Sequence, residues 1–80
     1  MKYLATFHTH FDAVKYNKYI REMGAMAVLK PVPRKLSSSC GSCVGVSSPD
    51  ELPLEQIFTP DVERLYREDE GDYVLLAENE

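Results

Sequence analysis

The two cysteines of the chain stand three apart in Cys40-Gly41-Ser42-Cys43, at the end of a polar run that opens with Pro31-Val32-Pro33-Arg34-Lys35 and continues through Ser37, Ser38 and Ser39. A thiol is a useful nucleophile only as its thiolate, so the groups to look for are those that stabilise negative sulfur. Arg34 and Lys35 supply positive charge, the backbone N–H groups of a Ser/Gly-rich loop supply donors, and a helix start expected at Thr9 supplies the positive end of a helix dipole. Cys40 is the candidate nucleophile. Gly41 permits close backbone approach and an unusual φ, and Ser38, Ser39 and Ser42 offer hydroxyls that fix the loop. Cys43 is then placed to resolve a loaded Cys40 as an intramolecular disulfide. The plainer alternative is that both are small buried residues of a hairpin, since the pair lacks the following helix of a thioredoxin-like site.

Two other chemistries compete for the same residues. His8 and His10 with Cys40 and Cys43 would complete a tetrahedral Cys2His2 zinc site. A helix cap at Thr9 puts the two imidazoles on either side of a bend, so solvated histidines at a helix start are the favoured reading, with no metal and no cofactor expected. Pro31-Val32-Pro33 could be a rigid segment that docks a partner without chemistry, or simply the end of an edge strand. No Ser-His-Asp arrangement, phosphate loop or paired-carboxylate signature is visible, and Glu68, Asp69, Glu70 and Asp72 read as a solvated turn.

Length bounds what can carry this run. Eighty residues form one domain, 1–80, which buries only about 60% of the surface its unfolded chain exposes. The net charge of −4 hides a division: residues 1–48 carry seven Lys/Arg against two acids, and residues 49–80 carry two Arg against eleven acids. Such halves attract one another, and the acidic one argues against nucleic acid. No apolar run approaches the ~20 residues that span a bilayer, and the stretch before His8 is too short for a signal peptide. A cytoplasmic location is expected, where a close cysteine pair is more often redox-active, sulfur-handling or metal-binding than a staple.

The elements around the run are legible from pattern. Tyr3–Phe7 reads as a buried strand. Thr9 caps a helix over His10–Met23, with Asp12 three residues later, and Ala13, Tyr16, Ile20 and Met23 form its buried stripe before Gly24 ends it. Phe11 and Val14 fall off that stripe and either flank the core or meet a covering segment. Ala25–Leu29 is a second strand, running parallel to the first, and Cys43–Ser47 a third. Residues 48–58, with Pro49 and Pro53, form an ordered connection with one turn of helix. Thr59-Pro60-Asp61-Val62-Glu63 carries the marks of a helix start, with Val62, Leu65 and Tyr66 as its buried stripe. A polar turn at 68–72 and a last strand over Tyr73–Ala77 complete a β-α-β-β-α-β order, that of a ferredoxin-like two-layer α+β sandwich with both helices on one face. In that topology the third strand lies antiparallel beside the first, which brings Cys40 and Cys43 near His8, Thr9 and His10.

Phe7, Gly24, Pro31, Pro33, Arg34, Ser37, Ser38, Cys40 and Gly41 follow one another in an order and spacing that resembles the small selenium/sulfur carrier-like proteins, over about residues 3–46. The resemblance implies a protein that holds sulfur or selenium on Cys40, receives it from a sulfur or selenium donor protein such as a sulfurtransferase or desulfurase, and passes it to an acceptor protein. It implies a carrier or adaptor more than a free-standing enzyme. The chain departs from the pattern at His8 and His10, where small polar residues are usual, and at Cys43, and residues 48–80 follow it loosely. An off-stripe Phe11 and an exposed edge strand leave a homodimer open.

Overall fold

The structure, a computed structural model, describes residues 1–79. Its elements are β1 (Lys2–Phe7), α1 (His10–Glu22), β2 (Met26–Pro31), β3 (Ser42–Ser47), α2 (Leu54–Ile57), β4 (Val62–Asp69) and β5 (Asp72–Glu78). The strands form one five-stranded sheet in the order β2-β3-β1-β4-β5, antiparallel at each pairing. β1 and β2 therefore run in the same direction with β3 between them, as expected of two strands joined through a helix. The class is mixed α+β; the turn of helix expected within residues 48–58 is α2, and the sheet has five strands where the sequence pattern suggests four.

The first half forms for the reasons its sequence gives. Thr9 Oγ1 accepts from the Asp12 N–H at 3.1 Å, and Ala13, Tyr16 and Ile20 are the buried face of α1. Gly24 takes φ +93 just past the helix, a conformation costly for any residue with a Cβ. Tyr3, Ala5 and Phe7 alternate onto the face of β1 beneath α1, where they meet Val44, Val46, Val62, Leu65 and Ile57. The single turn α2 lies on the same face, because the Tyr16 hydroxyl donates to the Ile57 carbonyl and Tyr19 to the Gln56 carbonyl. Phe11 and Val14 point to solvent.

The second face of the sheet is smaller and is what positions the cysteine run. Leu4, Cys43 and Tyr66 are buried there, with Val32, Leu36 and Tyr73 packed over them. Residues 32–41 are therefore not a free loop: Val32 and Leu36 turn inward as a cover. Lys35 Nζ ties that cover to the β4–β5 hairpin through the Gly71 carbonyl and Asp72 Oδ1, each at 3.0 Å. The expected attraction between the halves is present in this pair and in Lys15–Asp61, 3.0 Å apart, both exposed and so worth little each.

The helix expected from Thr59 is absent, and β4 takes its place. Pro60 sits second in a turn closed by the Val62 N–H on the Thr59 carbonyl at 3.1 Å, a position that needs the same φ as a first helical residue. The helical spacing of Val62, Leu65 and Tyr66 has a different origin. Phe7 pairs with Val62 and Thr6 with Arg64, so Glu63 is an extra residue, a β-bulge. That insertion resets the period-2 alternation, placing Val62 and Leu65 on the helix-covered face and Tyr66 on the other. At 70–71 a two-residue turn with φ +48 at Glu70 and +85 at Gly71 joins β4 to β5, both positive as the tight hairpin turn requires.

Candidate functional site

β1 ends, α1 begins and β3 starts at one end of the sheet, where Ser38 and Ser39 of the cover meet Phe7 and Glu63. Ser38 Oγ donates to the Phe7 carbonyl at 2.9 Å, and Ser39 Oγ donates to Glu63 Oε2 at 2.8 Å. His8 Nδ1 lies 3.3 Å from Ser39 Oγ and 3.5 Å from Glu63 Oε2, while His10 Nδ1 lies 3.0 Å from Ser42 Oγ. Cys40 thus has one histidine against the residue before it and another against the second residue after it.

Cys40 is half-buried and forms no disulfide with Cys43. Its Sγ accepts from the Ser42 N–H and donates to the Ser42 carbonyl, both at 3.4 Å, so a sulfur made negative would keep the one backbone donor and lose its bond to the carbonyl. Gly41 turns the chain with φ +75, and a Cβ there would meet no atom within 4 Å. The requirement is one of backbone conformation, not space. Gly41→Ala is expected to cost ~1–2 kcal/mol of stability, the penalty of a left-handed conformation for an L-residue, read as a lower urea midpoint at unchanged m-value. A loss below ~0.3 kcal/mol would mean that the turn relaxes freely.

Cys43 sits differently. Adjacent residues of a strand face opposite ways, and Cys43 is fully buried on the second face beneath Val32 and Leu36, with its Sγ donating to the Pro31 carbonyl at 3.5 Å. Burial pushes its thiol up to about 11, against a smaller downward pull from Lys30. Lys30 itself lies over Gly45, where an added Cβ would come within 3.2 Å of its Cε.

Of the other residues singled out by sequence, Thr9 spends its hydroxyl on the helix cap, and Arg34 is exposed with no hydrogen bond or ion pair among the described residues. The Cys2His2 grouping is not assembled: both Nδ1 atoms face serine hydroxyls, Cys43 points to the second face, and no set of three potential ligands converges among the described residues. Glu63 is the residue that sequence reasoning misplaced. Its side chain is 10% exposed, and its Oε1 is buried with no hydrogen-bond partner among the described residues. Burial raises its carboxyl, but the Ser39 hydrogen bond, with the Ser38 hydroxyl and His8 nearby, outweighs this and holds it below the usual carboxylate range. The one signal in the sequence is an acid set between Val62 and Leu65, directly after the Pro60 turn.

The family described as "Putative Se/S carrier protein-like" matches residues 2–60. The chain belongs to this family. The match runs from β1 through α2, so it takes in Cys40 and the cover that presents it, and stops short of β4 and Glu63. No curated protein and no solved structure matches the chain. Among the described residues no helix is long and apolar enough to cross a membrane.

Proposed function

We propose that the protein is a thiol-based carrier of sulfur or selenium, with Cys40 as the atom-bearing residue, working in the cytoplasm between a donor protein and an acceptor protein. The single observation that carries this reading is the contrast between the two thiols. Cys40 is half-buried at a pinned turn with a backbone N–H directed at its sulfur, whereas Cys43 is sealed beneath the 32–41 cover. Membership of the Se/S carrier-like family supports the same choice. The scaffold reads as a ferredoxin-like arrangement whose second helix is cut to one turn and whose sheet is extended by a hairpin strand.

Loading needs no external oxidant or reductant. The Cys40 thiolate attacks the outer sulfur of a donor persulfide, R–S–SH; the new Cys40 S–S bond forms as the donor S–S bond breaks, and the donor thiolate leaves with the electron pair. Delivery is the same exchange in reverse, with an acceptor thiolate or other nucleophile taking the outer atom. Cys43 can resolve the loaded form by attacking Cys40 Sγ, giving a disulfide and hydrosulfide, once the cover lifts from it.

The test is intact-mass analysis of reduced protein after incubation with a small-molecule persulfide, followed by peptide mapping. One added sulfur on Cys40 is expected, and Cys40→Ser should abolish it. The competing reading is docking through Pro31–Cys43 without chemistry. Absence of uptake in the wild type, with partner capture intact in Cys40→Ser, would replace the carrier by that docking module.

A further inference from the structure

The 32–41 cover closes only part of the second sheet face. Val32 and Leu36 pack over Leu4, Cys43 and Tyr66. Strand alternation from those residues puts Met26 opposite Ser47, Val28 opposite Gly45 and Lys2 opposite Glu68 on the same face, beyond the cover. Met26 is 71% exposed there and Val28 55%, and a groove of about 320 Å³ beside Val28 is lined by Lys2, Lys30 and Gly45.

Gly45 shapes this groove. Gly24, Gly41 and Gly71 each take a positive φ and Gly45 does not, so no backbone conformation calls for glycine at 45. A glycine inside a strand costs stability and marks a place where another group comes close to the backbone. Here that group is the Lys30 side chain, since a Cβ at 45 would stand 3.2 Å from Lys30 Cε and 3.3 Å from its Nζ. The lysine stem therefore lies along the sheet and holds its ammonium in the groove. None of the ion pairs among the described residues involves Lys2 or Lys30. Glu68 is the one acid in the lining, so the groove sets two cations against one anion.

We propose that this corner docks an extended acidic segment of a partner protein, its carboxylates on Lys2 and Lys30 and its apolar side chains on Met26 and Val28. Charge selects the occupant. A second copy of the chain seated by the same corner would bring the lysine pairs of both copies together, a like-charge contact that costs binding. Addition of a strand along the outer edge of β2 is also opposed, because Arg21 Nε and Nη2 occupy the Ala27 carbonyl at 3.3 and 3.2 Å and Pro31 has no N–H to give. The segment lies on the sheet face instead. This site stands whether or not Cys40 carries sulfur.

The probe is a short synthetic peptide alternating glutamate and leucine, titrated into nitrogen-15-labelled protein, with a lysine–leucine peptide of the same length as control. Amide shifts are expected at Val28, Lys30, Gly45 and Ser47, absent with the control and reduced at high salt, where exposed charges are screened. Lys30→Glu should weaken binding about tenfold, and Glu68→Gln should tighten it. Gly45→Val separates docking from folding: only the far end of a flexible side chain stands in its way, so the urea midpoint is kept while the Lys30 ammonium leaves the groove and affinity falls. Absence of shifts, shifts elsewhere on the surface, or equal affinity of wild type and Lys30→Glu overturns the docking site. Shifts at the same amides on raising protein concentration without peptide would give the corner to a second copy and overturn the acidic partner.

Discussion

Alkylation of Cys43 in the folded protein is expected to be at least ~10²-fold slower at neutral pH than alkylation of the same residue in urea. Burial raises its thiol from the ordinary 9.0 to about 11, which alone cuts the reactive thiolate about a hundredfold, and its sulfur is fully shielded under Val32 and Leu36. The same shift predicts a stability change of defined sign. The folded state holds the Cys43 proton more tightly than the unfolded chain, so this contribution is fully present below pH 9 and is lost as pH rises toward about 11. It amounts to about 2–3 kcal/mol at most. Burial also raises the Tyr16 hydroxyl, which adds a loss of the same sign at the alkaline end. Urea titrations of wild type and Cys43→Ala at pH 8 and pH 10 separate the two, because the variant keeps only the tyrosine part. Equal loss in both proteins would show that Cys43 is not held protonated by the fold. Peptide mapping after a short alkylation should find the label on Cys40.

Phe7→Ala is expected to cost ~3–5 kcal/mol, the range for truncating a large buried aromatic. Phe7 is fully buried, and its ring lies 5.1 Å from that of Tyr16 at 54°, so it couples β1 to α1 at the end of the strand nearest the site. An 80-residue domain has roughly 4–12 kcal/mol in all, so much of the margin goes with one side chain. Two consequences can be measured on one sample. The urea midpoint should fall sharply, and Cys43 should become open to alkylation under native conditions, because the globally unfolded state is then populated enough to be trapped. The Ser38 bond to the Phe7 carbonyl survives the substitution in principle, since it uses backbone. A loss below ~1.5 kcal/mol would mean that the core closes over the gap and that the contact with Tyr16 contributes little.

Much of this protein is decided locally, and those parts were legible in the chain. The Thr9 cap with the stripe Ala13, Tyr16 and Ile20, the stop at Gly24, and the alternation of Tyr3, Ala5 and Phe7 depend on neighbours a few residues away, and the structure has them where the pattern puts them. The polar turn before Tyr73 is of the same kind, since Glu70 and Gly71 need only their own backbone to form a hairpin. Even the approach of His8 and His10 to the cysteine run followed from topology, because an antiparallel β3 beside β1 leaves few other places for that run.

What only the tertiary structure decided lies where one local pattern serves two outcomes. Thr59-Pro60-Asp61 has the φ and capping chemistry of a helix start and equally of a turn into a strand; pairing of β4 with β1 on one side and β5 on the other selects the strand, since there it satisfies backbone groups along both edges. The bulge at Glu63 then gave that strand the spacing of a helix, and no local feature of the sequence distinguishes an inserted residue from a change of period. The two cysteines show the same limit. Their spacing suggests a pair, but how deeply each one is buried depends on Val32 and Leu36 folding back as a cover, which separates one half-buried thiol from one fully buried thiol. A carboxylate 24 positions from Ser39 meets it only because β4 lies beside β1.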